Sequence, residues 1–352
     1  MQIFLKEETL NGQRTERKQN SGHASVDIVI PVYRPCEKFL QLMQMLAAQT
    51  YPIGKIILMN TEKALWTDEA EQLCRDISDA ENAVGAVEVH HITKQEFDHA
   101  ATRRAGVSCS AADAFVCMTD DAVPADAFLV ERLLRALYPD ETCAANGGAV
   151  PLPIAEAYAR QLPDETCGEA ERFTRGFNYP AVSVIKGKQD LPRLGIKTYF
   201  ASNVCCAYRR DVYDALGGFC EEAIFNEDMI FAAKAVQAGY GIAYCADAAV
   251  VHAHRYTAMQ QLHRNFDLGM SQSMHPEVFS GLRSEGEGIR LVKETAAHLW
   301  RAGLWQQIPG LIVQSGFKYL GFRLGRAYRK LPYGLCLQLA MNKEYLRRHR
   351  DD

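Results

Sequence analysis

The residues best suited to chemistry fall in three clusters. The first closes an apolar run: Ala114-Phe115-Val116-Cys117-Met118-Thr119 leads into the paired acids Asp120-Asp121. In an open parallel sheet, ligands bind outside the carboxyl ends of the strands, and one or two carboxylates there hold a Mg²⁺ or Mn²⁺ ion that carries substrate phosphates. This points toward a nucleoside diphosphate; the alternative is that both acids merely begin the turn continuing through Pro124. The second cluster is Asn226-Glu227-Asp228 at the head of a helix. A carboxylate can accept the proton of an attacking hydroxyl, yet acids that follow a good N-cap are also favoured by the helix dipole alone. The third is Ala248-Ala249-Val250-Val251-His252-Ala253-His254, which reads as a strand with both imidazoles on one face, a spacing that suits a metal. Such a pair can bind Zn²⁺, so a zinc hydrolase is a rival reading, although no third ligand or general base lies nearby in the sequence.

These clusters need a scaffold, and the apolar pattern supplies one. Val26–Ile30 reads as a strand halted by Pro31 and Pro35, and Glu37–Gln49 has helical spacing at Phe39, Leu42, Met43 and Leu46. A strand at Lys55–Met59, a helix at Asp68–Ala80, a strand at Val87–Ile92, a helix at His99–Ser108 and the acid-tipped strand follow. Strands alternating with helices imply an α/β, doubly wound, Rossmann-like sheet with right-handed crossovers, so the loops after the strands gather at one edge. The first of these, Pro31-Val32-Tyr33, puts backbone groups and an aromatic ring at that mouth, where they can cradle a base.

Composition narrows the class. The 352 residues, 48% hydrophobic, suffice for one large domain with an appendage or for two modest domains, and a formal charge of -4 argues against nucleic acid as the main partner. No apolar run approaches the ~20 residues of a membrane span. Eleven cysteines, an odd number with no C-x-x-C pair, fit reduced thiols and a cytoplasmic location. Residues 1–24 are polar and lack the apolar core of a signal peptide, and are expected to be a flexible tail.

Two further segments carry a family resemblance. Glu96-Phe97-Asp98-His99-Ala100-Ala101-Thr102-Arg103-Arg104 resembles the Phe-Asp-His-Gly-x-Thr-Arg-Asn segment of bacterial rhamnosyltransferases within the family 2 glycosyltransferases, with Ala100 for Gly and Arg104 for Asn. In that family a strand ending Thr-Gln-Asp-Ala follows, and here it is Thr119-Asp120-Asp121-Ala122. The resemblance spans roughly residues 25 to 345 and implies the GT-A fold and a nucleotide-sugar donor. It assigns Asp121 to the metal. Neighbouring strand residues face opposite ways, which leaves Asp120 for the ribose or the phosphates. Arg103 is then suited to pair with the diphosphate. The Gly217-Gly218-Phe219 turn before Glu227-Asp228 matches the segment that supplies the family's catalytic base, which makes Asp228 that base with Glu227 beside it, and His252 joins the metal. Where relatives often have an acid after the second strand this chain has Asn60, an amide able to read the base through its donors and acceptor.

The expected division is a nucleotide-binding half at 25–125, an acceptor-side half at 126–285 and a helical, basic, amphipathic region at 286–352. In the last, Trp300, Trp305, Ile312, Tyr319 and Leu320 alternate with Lys318, Arg323, Arg326 and Arg329. Such a surface can lie on an anionic membrane and meet an acceptor carried on a polyprenyl diphosphate; the alternative is a helical appendage or a homodimer contact. The reading is an inverting, Mg²⁺- or Mn²⁺-dependent transferase that moves rhamnose from dTDP-rhamnose to a cell-surface polysaccharide or its lipid-linked precursor. The donor sugar rests on the resemblance alone. A UDP-linked hexose donor and a non-catalytic scaffold of a polysaccharide assembly are the alternatives. A nucleotidyltransferase is disfavoured because Pro31–Pro35 contains no glycine.

Overall fold

The computed structural model describes residues 24–139, 152–254, 256–280 and 285–349; most of the expected N-terminal tail lies outside them. Nine strands among these residues form a single sheet: β1 (Val26–Tyr33), β2 (Ile53–Thr61), β3 (Val84–Ile92), β4 (Ala114–Met118), β5 (Val123–Pro124), β6 (Ile154–Leu162), β7 (Val184–Lys186), β8 (Cys205–Arg209) and β9 (Gly241–Val251). Their order is β3-β2-β1-β4-β8-β6-β9-β5, with β7 added on β9. The first four strands are parallel, β8 runs antiparallel between β4 and β6, and β9 returns parallel to β6.

Alternation along the central strands gives the sheet two cores. Ile28, Ile30, Leu58, Val116 and Met118 face the helices Glu37–Ala47, Asp68–Asp79 and Leu129–Leu137. Val29, Ile57, Phe115 and Cys117 face the helices His99–Ser108 and Glu227–Gln237. Strands covered on both sides read as nearly continuous apolar runs, which is why β1 and β4 stand out in the sequence.

Pro31 does not end β1. The strand continues to Tyr33 alongside β2, while its pairing with β4 stops at Val29. Beyond that point β1 has a neighbour on one side only, where a residue without an N–H is tolerated. The histidine segment also differs from expectation: β9 begins at Gly241 and ends at Val251, so His252 and His254 lie just past the strand. Gly217 and Gly218 follow the short helix Arg210–Ala215 with φ of 75° and 69°, in the left-handed region that glycine enters without penalty.

The C-terminal region is helical, and its longest helix, Ile308–Arg326, lies along the helix Ala258–Met274. A methyl group on Gly321 or Gly325 would run into the backbone oxygen of Leu262 or Phe266, and one on Gly269 into that of Phe322. The Gly-x-x-x-Gly spacing therefore lets the two backbones approach directly. No helix among the described residues is long and apolar enough to cross a membrane.

Candidate active site

Three strand ends converge on the edge where the chemistry was expected. β4 carries Asp120 and Asp121 past Met118; because β8 is antiparallel to it, with Met118 opposite Cys205, Asn203 enters at the same edge. β6 and β9 are parallel with Leu162 opposite Val251, which sets Gln161 beside His252. The two-residue strand β5 pairs Val123 with Val251 and folds the Asp121 turn against the histidines.

The outcome is a compact donor set. His252 Nε2 lies 3.5 Å from Asp121 Oδ1, His254 Nε2 lies 3.4 Å from Asp121 Oδ2, and the two Nε2 atoms are 3.0 Å apart. All three potential ligand atoms fall within 4.8 Å of one another. His252 Nδ1 stands 3.2 Å from Gln161 Oε1, an acceptor, so the proton belongs on Nδ1 and the lone pair on Nε2. A partner on the other ring nitrogen is the usual means of fixing a metal-binding tautomer. Gln161 is itself held, donating to Ser202 Oγ at 3.0 Å and accepting from Arg175. A carboxylate and two imidazoles aimed at one point fit a divalent metal. The sequence pair Asp121 and His252 is thus brought together, and His254 joins it.

Asp120 has a separate task. Its Oδ2 accepts the Tyr33 N–H at 2.9 Å, tying the end of β1 to the end of β4. Burial, and then the neighbouring Asp121 charge, push its carboxyl up to about 6. Tyr33 leaves its ring 42% exposed at the mouth beneath the Arg34 guanidinium, whereas Val32 is buried in the core and Pro31 is half-buried.

The helix Glu227–Gln237 supplies the second centre. Asn226 enters it with a left-handed φ of 67° and no side-chain cap; its amide donates instead to Ser271 Oγ at 3.2 Å. The expected N-cap role is therefore not taken by the Asn226 side chain. Asp228 accepts the Asn203 N–H at 3.0 Å and the Met229 N–H at 2.7 Å and faces a cavity. Burial, and next the charge of Glu227, push its carboxyl up to about 7. A carboxyl poised near neutrality is what proton abstraction from a hydroxyl calls for. Glu227 points the other way: buried, it pairs with Arg103 at 2.9 Å and accepts from Asn203 Nδ2 at 2.9 Å. Burial alone would raise the Glu227 carboxyl, but the Arg103 guanidinium overrides it and holds it below the ordinary value.

Two sequence candidates sit elsewhere than expected. Arg103 is 4% exposed, paired with Glu227 and donating to His99 O at 3.1 Å, so its charge is spent inside the fold rather than offered to a diphosphate. Asn60 is fully buried under the mouth; its amide nitrogen meets His91 Nδ1 at 2.9 Å and its Oδ1 has no partner. Asp98 and Asn203 were overlooked as positioning groups. Asp98 caps the helix His99–Ser108 through Ala100 N and Ala101 N, each at 2.8 Å, and also accepts Ala223 N at 3.1 Å, pinning the loop that leads to Asp228. The Asp in the Phe-Asp-His segment was the available signal, since an N-cap acid before a helix is legible from sequence.

Comparison with known proteins agrees with this geometry. The family model described as "Glycosyltransferase like family 2" matches residues 23–266. The O-antigen chain rhamnosyltransferase RfbN of Salmonella typhimurium is 33% identical over 325 residues, covering 91% of this chain and 95% of that protein. The O-antigen chain rhamnosyltransferase WbaN of Salmonella anatum is 39% identical over 259 residues, covering 72% and 77%. Among solved structures, the mannosyltransferase PcManGT of Pyrobaculum calidifontis, in complex with GDP-Man and Mn²⁺, superposes with a TM-score of 0.50 at 12% identity, covering 98% of this chain and 95% of that one. Sheet order, site and family match lead to one statement: the chain has the GT-A fold, belongs to the family 2 glycosyltransferases and is a glycosyltransferase.

Proposed function

We propose that the protein transfers rhamnose from dTDP-rhamnose to an O-antigen-like cell-surface polysaccharide or its lipid-linked precursor, with inversion at the anomeric carbon. The single observation that carries the reaction type is Asp228, fixed by two backbone N–H groups and facing the cavity that His252 and His254 also line. A sugar hydroxyl is a poor nucleophile near neutral pH, and Asp228 is suited to take its proton as it attacks. Glu227 and Arg103 act behind it, fixing its helix and tuning its charge. Tyr33 receives the base, Asp120 shapes the turn around the ribose and phosphates, and Asn60 supports that wall from below. The sugar and the polysaccharide are inferred from the relatives named above.

Asp121, His252 and His254 would hold the divalent cation, which when bound supplies positive charge to the departing nucleoside diphosphate. Imidazole ligands favour transition ions over Mg²⁺, so of the two expected ions Mn²⁺ is the better match. The test is nucleoside diphosphate release by purified protein with Mn²⁺ or Mg²⁺ across dTDP- and UDP-linked sugars, beside Asp228→Asn. Release confined to dTDP-rhamnose and lost in the variant supports the reading; release from a UDP-hexose alone replaces the donor, and none from any donor with crude lipid acceptor present overturns it.

A further inference from the structure

Beside Asp228 lies a cavity of about 870 Å³, within the usual size range of small-ligand sites. Its walls come from residues 126–285 and the C-terminal helices: Asp228 from the head of the helix Glu227–Gln237, His252 and His254 from the sheet edge, Arg175 from the helix Glu169–Asn178, Arg264 from Ala258–Met274 and Lys318 from Ile308–Arg326. Tyr33, Asn60 and Asp120, the candidate base and ribose contacts, do not line it, so it meets the donor site only at the candidate metal ligands His252 and His254.

The three cations are held without spending their charge. Among the described residues none of the three forms an ion pair, although Glu171 also lines the cavity and its charge acts on Lys318. Arg264 rests against the rings of Phe225 at 4.7 Å and Tyr256 at 5.9 Å, and Arg175 donates to the neutral Gln161 amide. They also crowd one another: Lys318 is exposed at the open side of the cavity, where partial loss of solvent and then the Arg264 guanidinium pull its ammonium below the ordinary lysine value, Glu171 opposing and Arg175 adding to the effect. Like charges gathered in a cavity raise the energy of the empty site and lower that of an anionic occupant. On the transferase reading the cation at Asp121, His252 and His254 meets the donor diphosphate, and three more cations on the Asp228 side of those histidines are suited to a second anion.

We infer that Arg175, Arg264 and Lys318 form a subsite for the phosphate or diphosphate group on which the acceptor sugar is carried. This rests on the transferase reading above and names the acceptor's chemistry. The helix that contributes Lys318 turns Ile312, Val313, Tyr319 and Leu320 outward, each at least half exposed, which gives an apolar tail leaving the cavity a surface to follow. Guanidinium groups read phosphate oxygens through paired donors, and the lysine adds a point charge.

The experiment titrates the full chain by calorimetry with farnesyl diphosphate, farnesol, inorganic pyrophosphate and dTDP, the last with Mn²⁺, in the wild type, Lys318→Met, Lys318→Arg and Lys318→Met/Arg264→Met. The expected result is binding of farnesyl diphosphate but not farnesol, weakened about tenfold in Lys318→Met through loss of one charged hydrogen bond. Lys318→Arg should retain it, the double variant should lose more, and dTDP affinity should hold in Lys318→Met. Pyrophosphate binding as tightly as the farnesyl compound would leave the anion site standing and remove the apolar surface from the account. If Lys318→Met weakens dTDP instead, the cations serve the donor and the inference is overturned; equal binding of farnesol, or no effect of either variant, overturns it as well. A wild type that binds farnesyl diphosphate through Lys318 yet releases no nucleotide from any donor would sink the transferase reading alone.

Discussion

Arg103 Nη1 and Glu227 Oε1 meet at 2.9 Å with both side chains almost fully out of water, joining the helix that follows the Phe-Asp-His segment to the helix that carries Asp228. The pair does structural and electrostatic work at once. Removing one partner of a buried ion pair strands the other charge in a poor solvent, which costs about 3–5 kcal/mol. Arg103→Met should therefore lower the unfolding free energy obtained from urea denaturation by about 3–5 kcal/mol, and Arg103→Met/Glu227→Gln should recover part of it. A loss in Arg103→Met no larger than that of a surface arginine variant would show that the pair is dispensable.

With Asp228 as the proposed base, the charge of Glu227 bears on the pH range of catalysis. Asp228, pushed up to about 7, must be ionised to accept a proton, so kcat/KM should climb as pH rises through about 7 and then level off. The groups facing Asp228 are Glu227, Arg103 and Glu156, of which Glu227 raises it most after burial. In Glu227→Gln that negative neighbour is gone and the Arg103 charge is released, and both changes lower the Asp228 carboxyl. The ascending limb should move to lower pH, measurable as initial rates of nucleotide release from pH 5 to 9; an unmoved or higher midpoint contradicts the assignment of that limb to Asp228.

How much of this was legible beforehand depends on where each residue's partners lie. The apolar strand that delivers Asp120 and Asp121 reads plainly, because a strand buried on both faces cannot disguise its composition. Asp228 and His252 were picked out from local segments and the family resemblance, while His254 joined them only in the structure. The role of Arg103 was not, since sequence places it on a helix of suitable spacing but cannot say that Glu227, remote in the chain, consumes its charge. Gln161 was missed for a related reason: β6, Ile-Ala-Glu-Ala-Tyr-Ala-Arg-Gln-Leu, is rich in alanine and poor in β-branched residues, so its strand character comes from the sheet around it.

Gln161 in turn bears on the metal. By fixing the His252 tautomer it should matter to affinity without touching the ion, and loss of such a partner usually costs about 10–100-fold. Gln161→Leu should weaken Mn²⁺ binding by that factor, and His254→Ala should weaken Mn²⁺ more than Mg²⁺ because it removes a nitrogen ligand. Titration calorimetry of Mn²⁺ and Mg²⁺ against the three proteins decides the point. Equal losses for both ions in His254→Ala would place that imidazole outside the coordination sphere.

Glu156 on β6 is fully buried with neither carboxyl oxygen partnered, and the nearby Tyr208 hydroxyl donates instead to Asn203 Oδ1 at 2.7 Å. Burial, and next the Asp228 charge, push the Glu156 carboxyl well above its ordinary value near 4.5. The shift favours the protonated form in the fold, with the Lys186 charge opposing it, while in the unfolded chain the group ionises near its ordinary value. Its contribution is then fully present below about pH 4.5 and declines as pH rises toward the folded value, by up to about 1.4 kcal/mol per pH unit. Glu156→Gln keeps the shape and removes that slope. The variant should match the wild type at pH 4 and exceed it increasingly as pH rises above 4.5, below the range in which Lys186, pushed down to about 7 by burial against the Glu156 charge, loses its own proton. Urea denaturation at several pH values tests this; a wild type that gains on the variant as pH rises would mean that Glu156 is ionised in the fold.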